Sequence, residues 1–127
     1  MPYTNTWEPD GLYRKFTGHI YAEEILKSNL ETHKHPNFHS IKYIINDFTA
    51  IDGHSINTNH IKIYATTDSI ISHSKGTLKL AQVIADTNLM PLIDDYRNQM
   101  SNELFECEIF QDIETARRWI EDTTKTP

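Results

Sequence analysis

Asp52-Gly53-His54-Ser55 puts a carboxylate, an imidazole and a hydroxyl within one short segment. Ser55 as a nucleophile would need His54 or His19 as its base, and Asp52 or Asp47 to orient that base. Such a set could cleave an ester, a phosphate or a peptide. It would require nucleophile and base within ~3 Å of each other and an oxyanion site beside them. Neighbours in sequence seldom meet that geometry, and the chain has no Gly-x-Ser-x-Gly elbow. The plainer role for Ser55 is to cap the N-terminus of a following helix.

Other reactive side chains read more simply. His33, His35 and His39 cluster around Pro36. Metal-holding histidine pairs sit one turn apart on a helix, as in His-Glu-x-x-His. Pro36 breaks that geometry, so these are expected as solvent-facing loop residues, with no metal and no cofactor. His60 and His73 are expected on helix surface. Cys107 alternates inward between Glu106 and Glu108, the setting of an inert core thiol rather than of a reactive thiolate. Arg14 shares its strand face with Leu12 and Phe16. A snorkelling stem at the sheet margin is the expected reading, and Asp47 on the neighbouring strand is the alternative partner.

The elements that must position these groups belong to a chain of 127 residues and 14.8 kDa, the size of one domain. The expected domain is 1–127, with a core at about 5–121 and a polar C-terminal stretch, Glu121–Pro127, that frays. Twelve Lys and Arg against eighteen Asp and Glu give 12 − 18 = −6, and seven protonated histidines would carry it to +1. That swing reads as a solubility property. The acidic balance argues against nucleic acid as a partner. One cysteine excludes an intramolecular disulfide. No apolar run reaches the ~18 residues of a membrane span. The N-terminus lacks a secretory pattern, so the cytoplasm is the expected compartment.

Glu8-Pro9-Asp10-Gly11 has the chemistry of a turn joining two antiparallel strands, Asn5–Trp7 and Leu12–Thr17, with Gly18 ending the second. Ala22, Ile25, Leu26 and Leu30 follow one face of a helix that stops at His35-Pro36. Ile41–Asp47 reads as a buried strand, Thr49–His54 as a polar loop, and Ser55 or Thr58 as the cap of a second helix carrying Ile61, Tyr64, Ala65, Asp68 and Ile71 up to Gly76. Leu78–Ala85 is the next strand. Asp86-Thr87-Asn88 caps a helix through Leu92, Ile93, Tyr96 and Met100, and Pro91 fits its first turn. Phe105–Phe110 is the last strand, and Asp112 caps a helix with Ile113, Ala116, Trp119 and Ile120 on one face. Strands alternating with helices imply a mostly parallel five-stranded α/β sheet with an antiparallel N-terminal edge and four helices.

This order, together with Trp7–Gly18, Glu23-Glu24-Ile25-Leu26, Tyr43–Phe48, Glu106–Phe110 and Glu114–Ile120, resembles the STAS domain and the small stand-alone SpoIIAA-like bacterial proteins, relatives of the lipid-binding CRAL-TRIO domains. The resemblance covers nearly the whole chain. It implies a functional loop after the central strand, where anti-sigma antagonists carry an Asp-Ser-Ser-Gly-like stretch phosphorylated on its second serine. Aligning the aspartates puts His54 at that position and Ser55, the candidate phosphosite, one place later.

Open parallel sheets take ligands at the carboxyl ends of their strands. In this reading those ends carry His19, Asp47, Thr49, Asp52, His54, Ser55, Asp86 and Thr87. The expected function is a non-catalytic STAS-like regulatory or ligand-binding module acting through those loops on a protein partner or a small ligand. The alternative is binding of a lipid or other small apolar molecule between sheet and helices, lined by Ile61, Tyr64, Ile93, Tyr96 and Met100. The third reading is a hydrolase using Asp52, His54 and Ser55. Homodimerisation is the base-rate expectation for such a domain.

Overall fold

Glu8 and Gly11 close the first turn by reciprocal backbone bonds, Glu8 N–H to Gly11 O at 2.8 Å and Gly11 N–H to Glu8 O at 3.4 Å. Gly11 is also required sterically, because a Cβ there would stand 2.2 Å from the Tyr43 ring. The computed structural model describes residues 3–125, with side chains as far as Glu121. The turn joins β1 (Tyr3–Trp7) to β2 (Gly11–Tyr21) as an antiparallel pair. There follow α1 (Ala22–Lys34), a short 3-10 turn at Pro36–His39, β3 (Tyr43–Ser55), α2 (Thr58–Lys75), β4 (Leu78–Val83), α3 (Met90–Gln99), β5 (Phe105–Phe110) and α4 (Ile113–Lys125). The five strands lie in the order β1-β2-β3-β4-β5, and every pairing after the first is parallel.

Alternation along the strands divides the side chains between two faces. Leu12 and Phe16, Ile44 and Phe48, Leu80 and Ile84, and Phe105 point to one face and pack with residues of α1, α2 and α3 into the main core. Phe16 stacks on Phe48 at 4.7 Å. Ile45, Ala81 and Val83 point to the other face, where Ala116 and Ile120 of α4 cover them. Arg117 of α4 clamps Glu8 at 3.0 and 2.7 Å, and the Tyr43 hydroxyl donates to the same carboxylate, tying the last helix to the first turn.

The structure corrects several local expectations. β2 does not end at Gly18. That residue adopts φ +72 and sits at a shift of register, so the strand bulges and continues to Tyr21. Thr49–His54 is strand rather than loop. Its turn-like composition is overridden by pairing with the prolonged β2, as in Thr17 with Ala50 and His19 with Gly53. β3 pairs with β4 only as far as Asp47 with Val83, so the far halves of β2 and β3 form a two-stranded parallel ribbon. Neither Ser55 nor Thr58 caps α2. Asn57 does, accepting from the His60 N–H at 3.1 Å while His60 Nδ1 accepts from the Asn57 N–H at 3.0 Å. Leu30 is exposed, and α1 instead buries Ile25, Ser28 and Thr32. Helix α4 continues to Lys125, through most of the stretch expected to fray, and residues 126–127 lie outside the described ones. No helix among the described residues is long and apolar enough to cross a membrane.

Candidate functional site

Three neighbouring strands each break their inward apolar alternation once: Leu12-Arg14-Phe16, Ile44-Asn46-Phe48 and Leu80-Gln82-Ile84. The register aligns the breaks. Arg14 pairs with Asn46, and Asn46 pairs with Gln82, giving a straight polar row across β2, β3 and β4 beneath the helices. A cavity of about 50 Å³ lies over this row. All of its wall is buried except Asn29 and His33 on α1, which are partly exposed.

Arg14 is 3% exposed, against the expectation of a snorkelling stem. β1 pairs on one side of it and β3 on the other, so β2 is an interior strand, and α1 closes over the top. Four of the five N–H donors of a guanidinium find acceptors. Nε donates to Asn46 Oδ1 at 2.9 Å, Nη1 to Ser28 Oγ at 3.0 Å and Thr32 Oγ1 at 3.3 Å, and Nη2 to Asn29 Oδ1 at 3.0 Å. Every one of these acceptors is neutral. Asp47, the alternative partner, faces away and accepts from the Tyr13 hydroxyl and from Thr49. Burial pushes Arg14 down to about 10, against the opposing pull of Asp68. The side chain is therefore charged at neutral pH, in a place where charge is costly.

The opposite wall is supplied by the helices. Asp68 of α2 accepts from the Tyr96 hydroxyl of α3 at 2.5 Å. Its carboxyl is pushed up to about 6 by burial, against the Tyr96 bond and Arg14. His33 Nε2 lies 3.8 Å from Asp68 Oδ1. His33 was expected in a solvent-facing loop; it is instead on α1, its side chain 12% exposed. Burial, aided by Arg14, pushes it down to about 4. The imidazole is neutral at pH 7, and the pair is a contact of a neutral ring with a carboxylate rather than an ion pair. Two buried polar atoms on this wall have no hydrogen-bond partner, His33 Nδ1 and Gln82 Oε1. Gln82 hydrogen-bonds the Cys107 side chain, and burial pushes that thiol up to about 12, so it stays protonated.

The sequence-derived candidates fall elsewhere, in separate groups. His19 and Ser55 meet on the ribbon, Nε2 to Oγ at 2.7 Å. His54 turns to its own backbone, Nδ1 accepting from the Ile56 N–H at 3.1 Å, and Asp52 is exposed. Asp47 and Thr49 bond each other, while Asp86 accepts from the Asn88 and Leu89 N–H groups before α3, beside exposed Thr87. Ile61, Tyr64, Ile93 and Tyr96 do line the cavity. Met100 is buried past the end of α3 and borders an open groove with Cys107 instead. The sequence does not single out Asn46 or Gln82, and its plain reading places Arg14 and His33 at the surface. The available signal was the repeated break in apolar alternation.

No family model matches the chain, and no curated protein matches it. Among solved structures, an uncharacterized protein of the DUF3478 family from Shewanella loihica PV-4, described as having a SpoIIAA-like fold, is 18% identical. The similarity covers 92% of this chain and 90% of that one, with a TM-score of 0.48.

Proposed function

We propose that this chain is a non-catalytic binding module of SpoIIAA-like architecture, and that it takes a small polar molecule into the cavity between the sheet and α1–α3. The observation that carries this reading is the polar row Arg14–Asn46–Gln82 on the cavity wall, with a buried cation held only by neutral acceptors and an unpartnered Gln82 Oε1. A core built for stability alone would satisfy or omit such groups. The apolar remainder of the wall leaves space for a few atoms and none for an acyl chain, which separates this reading from a lipid carrier. A screen of small polar compounds by thermal unfolding tests it. At tenfold excess over Kd a ligand adds about 1.4 kcal/mol, raising Tm by about 5 °C for a domain of this size. If no compound raises Tm and a crystal structure shows only ordered water over Gln82, the reading fails.

The His19–Ser55 distance supports a second reading, a hydrolase, because a base stands within hydrogen-bonding reach of a hydroxyl. His19 Nδ1 lies over Gly53, where a Cβ would approach to 3.0 Å, so glycine occupies the side from which an orienting carboxylate would act. Cleavage of p-nitrophenyl acetate is expected to be the same for the unmodified protein and for Ser55→Ala. A loss of about 100-fold or more in that variant would support the hydrolase.

A further inference from the structure

The cavity is too small for most metabolites and its polar groups are unbalanced in a specific way. At about 50 Å³, with ~10–15 Å³ of such volume needed per water, it holds roughly three to five non-hydrogen atoms. The Arg14 guanidinium has one Nη2 hydrogen left after its four bonds to Asn46, Ser28, Thr32 and Asn29. Among the described residues no carboxylate touches it. An occupant that accepts from that hydrogen gains most if it is an anion. Gln82 Oε1, in the same row, requires the reverse, a donor. Asp68 on the helix wall is a second acceptor, with Oδ2 engaged by Tyr96 and Oδ1 at 3.8 Å from His33. Asp68 balances Arg14 only through space, so the cavity offers a free donor on Arg14 and an unmet acceptor on Gln82, and a ligand filling it carries an acceptor, best an anionic one, at one end and a donor within an atom or two of it.

Building on the binding-module reading above, we propose that the occupant is a small carboxylate bearing a hydroxyl or amino group on the adjacent carbon, its carboxylate on Arg14 and its donor on Gln82. Glycolate and glycine, at five non-hydrogen atoms each, are the smallest members of the class. A glycine-like ammonium would also face Asp68, whereas a hydroxy acid would use Gln82 alone. By the efficiency of the smallest ligands, five atoms correspond to a Kd between about 3 and 200 μM.

Titration followed by amide and side-chain NMR, with glycolate, glycine, acetate, urea and isobutanol as separate probes, tests the assignment. Glycolate or glycine is expected to bind about tenfold more tightly than acetate, and the stronger of the two identifies the donor. Gln82→Leu, with Gln82→Met as a second apolar replacement, is expected to reduce that preference below twofold while leaving the spectrum folded. Equal binding of acetate and the two donors, or a preference that survives both Gln82 variants, overturns the adjacent donor. Urea or isobutanol occupying the cavity while every carboxylate fails overturns the carboxylate but leaves a binding module standing. If no probe shifts the cavity resonances, both readings fall.

Discussion

Asn46→Ala is expected to cost about 4 kcal/mol of stability in urea denaturation, while Arg14→Met, a few ångströms away, is expected to cost less than about 1 kcal/mol. The asymmetry follows from which group is left stranded. Asn46 Oδ1 is the only acceptor on the sheet for the Arg14 Nε–H, and the guanidinium is 3% exposed. Removing that acceptor leaves a buried cation short of a bond and opens a void beside it. Removing the cation leaves neutral hydrogen-bond partners, of which Ser28 and Thr32 also donate to the α1 backbone at 2.8 Å, and Asp68, freed of the pull of Arg14, takes up a proton more readily. The thioether replaces the stem volume. Burial already pushes Arg14 down to about 10, so the charge is held at a cost that methionine relieves. A charge kept at such cost is a mark of function rather than of stability. If Arg14→Met loses as much as Asn46→Ala, the guanidinium is structural and that argument fails.

The second large effect is a pair of opposed pH dependences that cancel. Asp68 is pushed up to about 6 by burial, from a free value near 3.8. Between these values the folded chain keeps a proton that the unfolded chain has released, so stability contributed below about pH 4 is lost as pH rises to 6. His33 is pushed down to about 4 by burial and Arg14, from 6.5. Across that interval the unfolded chain binds a proton that the folded chain refuses, so stability is lost as pH falls from 6.5 to 4. The groups facing Asp68 are Arg14 from β2, His33 from α1 and Tyr96 from α3. The unmodified protein is expected to show nearly constant stability between pH 4 and 6.5. His33→Gln exposes the Asp68 term, a fall of roughly 3 kcal/mol as pH rises from 4 to 6, at about 1.36 kcal/mol per pH unit. Asp68→Asn exposes the His33 term and reverses the slope. An unmodified profile as steep as either variant would show that the two groups do not offset one another.

The architecture was readable because its signals are local. Alternation marked the strands, the Glu8–Gly11 turn marked the hairpin, and Asp112 and Gly76 marked helix ends that the structure also uses, whereas Leu89, with no side-chain bond, is the N-cap of α3 and Asp86 closes the turn before it. The ribbon was hidden because Asp52, Gly53 and His54 favour turns when taken alone, and only the prolonged β2 makes them strand. Asp68 was placed correctly on the inward face of its helix, beside Tyr64 and Ala65, without its significance being apparent. The burial of Arg14 is not legible locally, because its strand follows the N-terminal turn and only the pairing with β1 shields it on that side. The polar row needs interstrand register. Arg14, Asn46 and Gln82 are far apart in the chain, and no periodicity states that they stand side by side.

Each strand of the sheet lies beside the one that precedes it in the chain. Such an arrangement can be laid down in the order of synthesis, every new strand docking on an edge that is already in place, with a tight turn to close first and one helical crossover at each later step. Arg14 and its cradle of Ser28, Asn29, Thr32 and Asn46 are complete once β3 has emerged, whereas Gln82 and Tyr96 arrive only with β4 and α3. In that order the cation is seated early, in a half-open sheet still reached by water, and the wall that isolates it is drawn across afterwards.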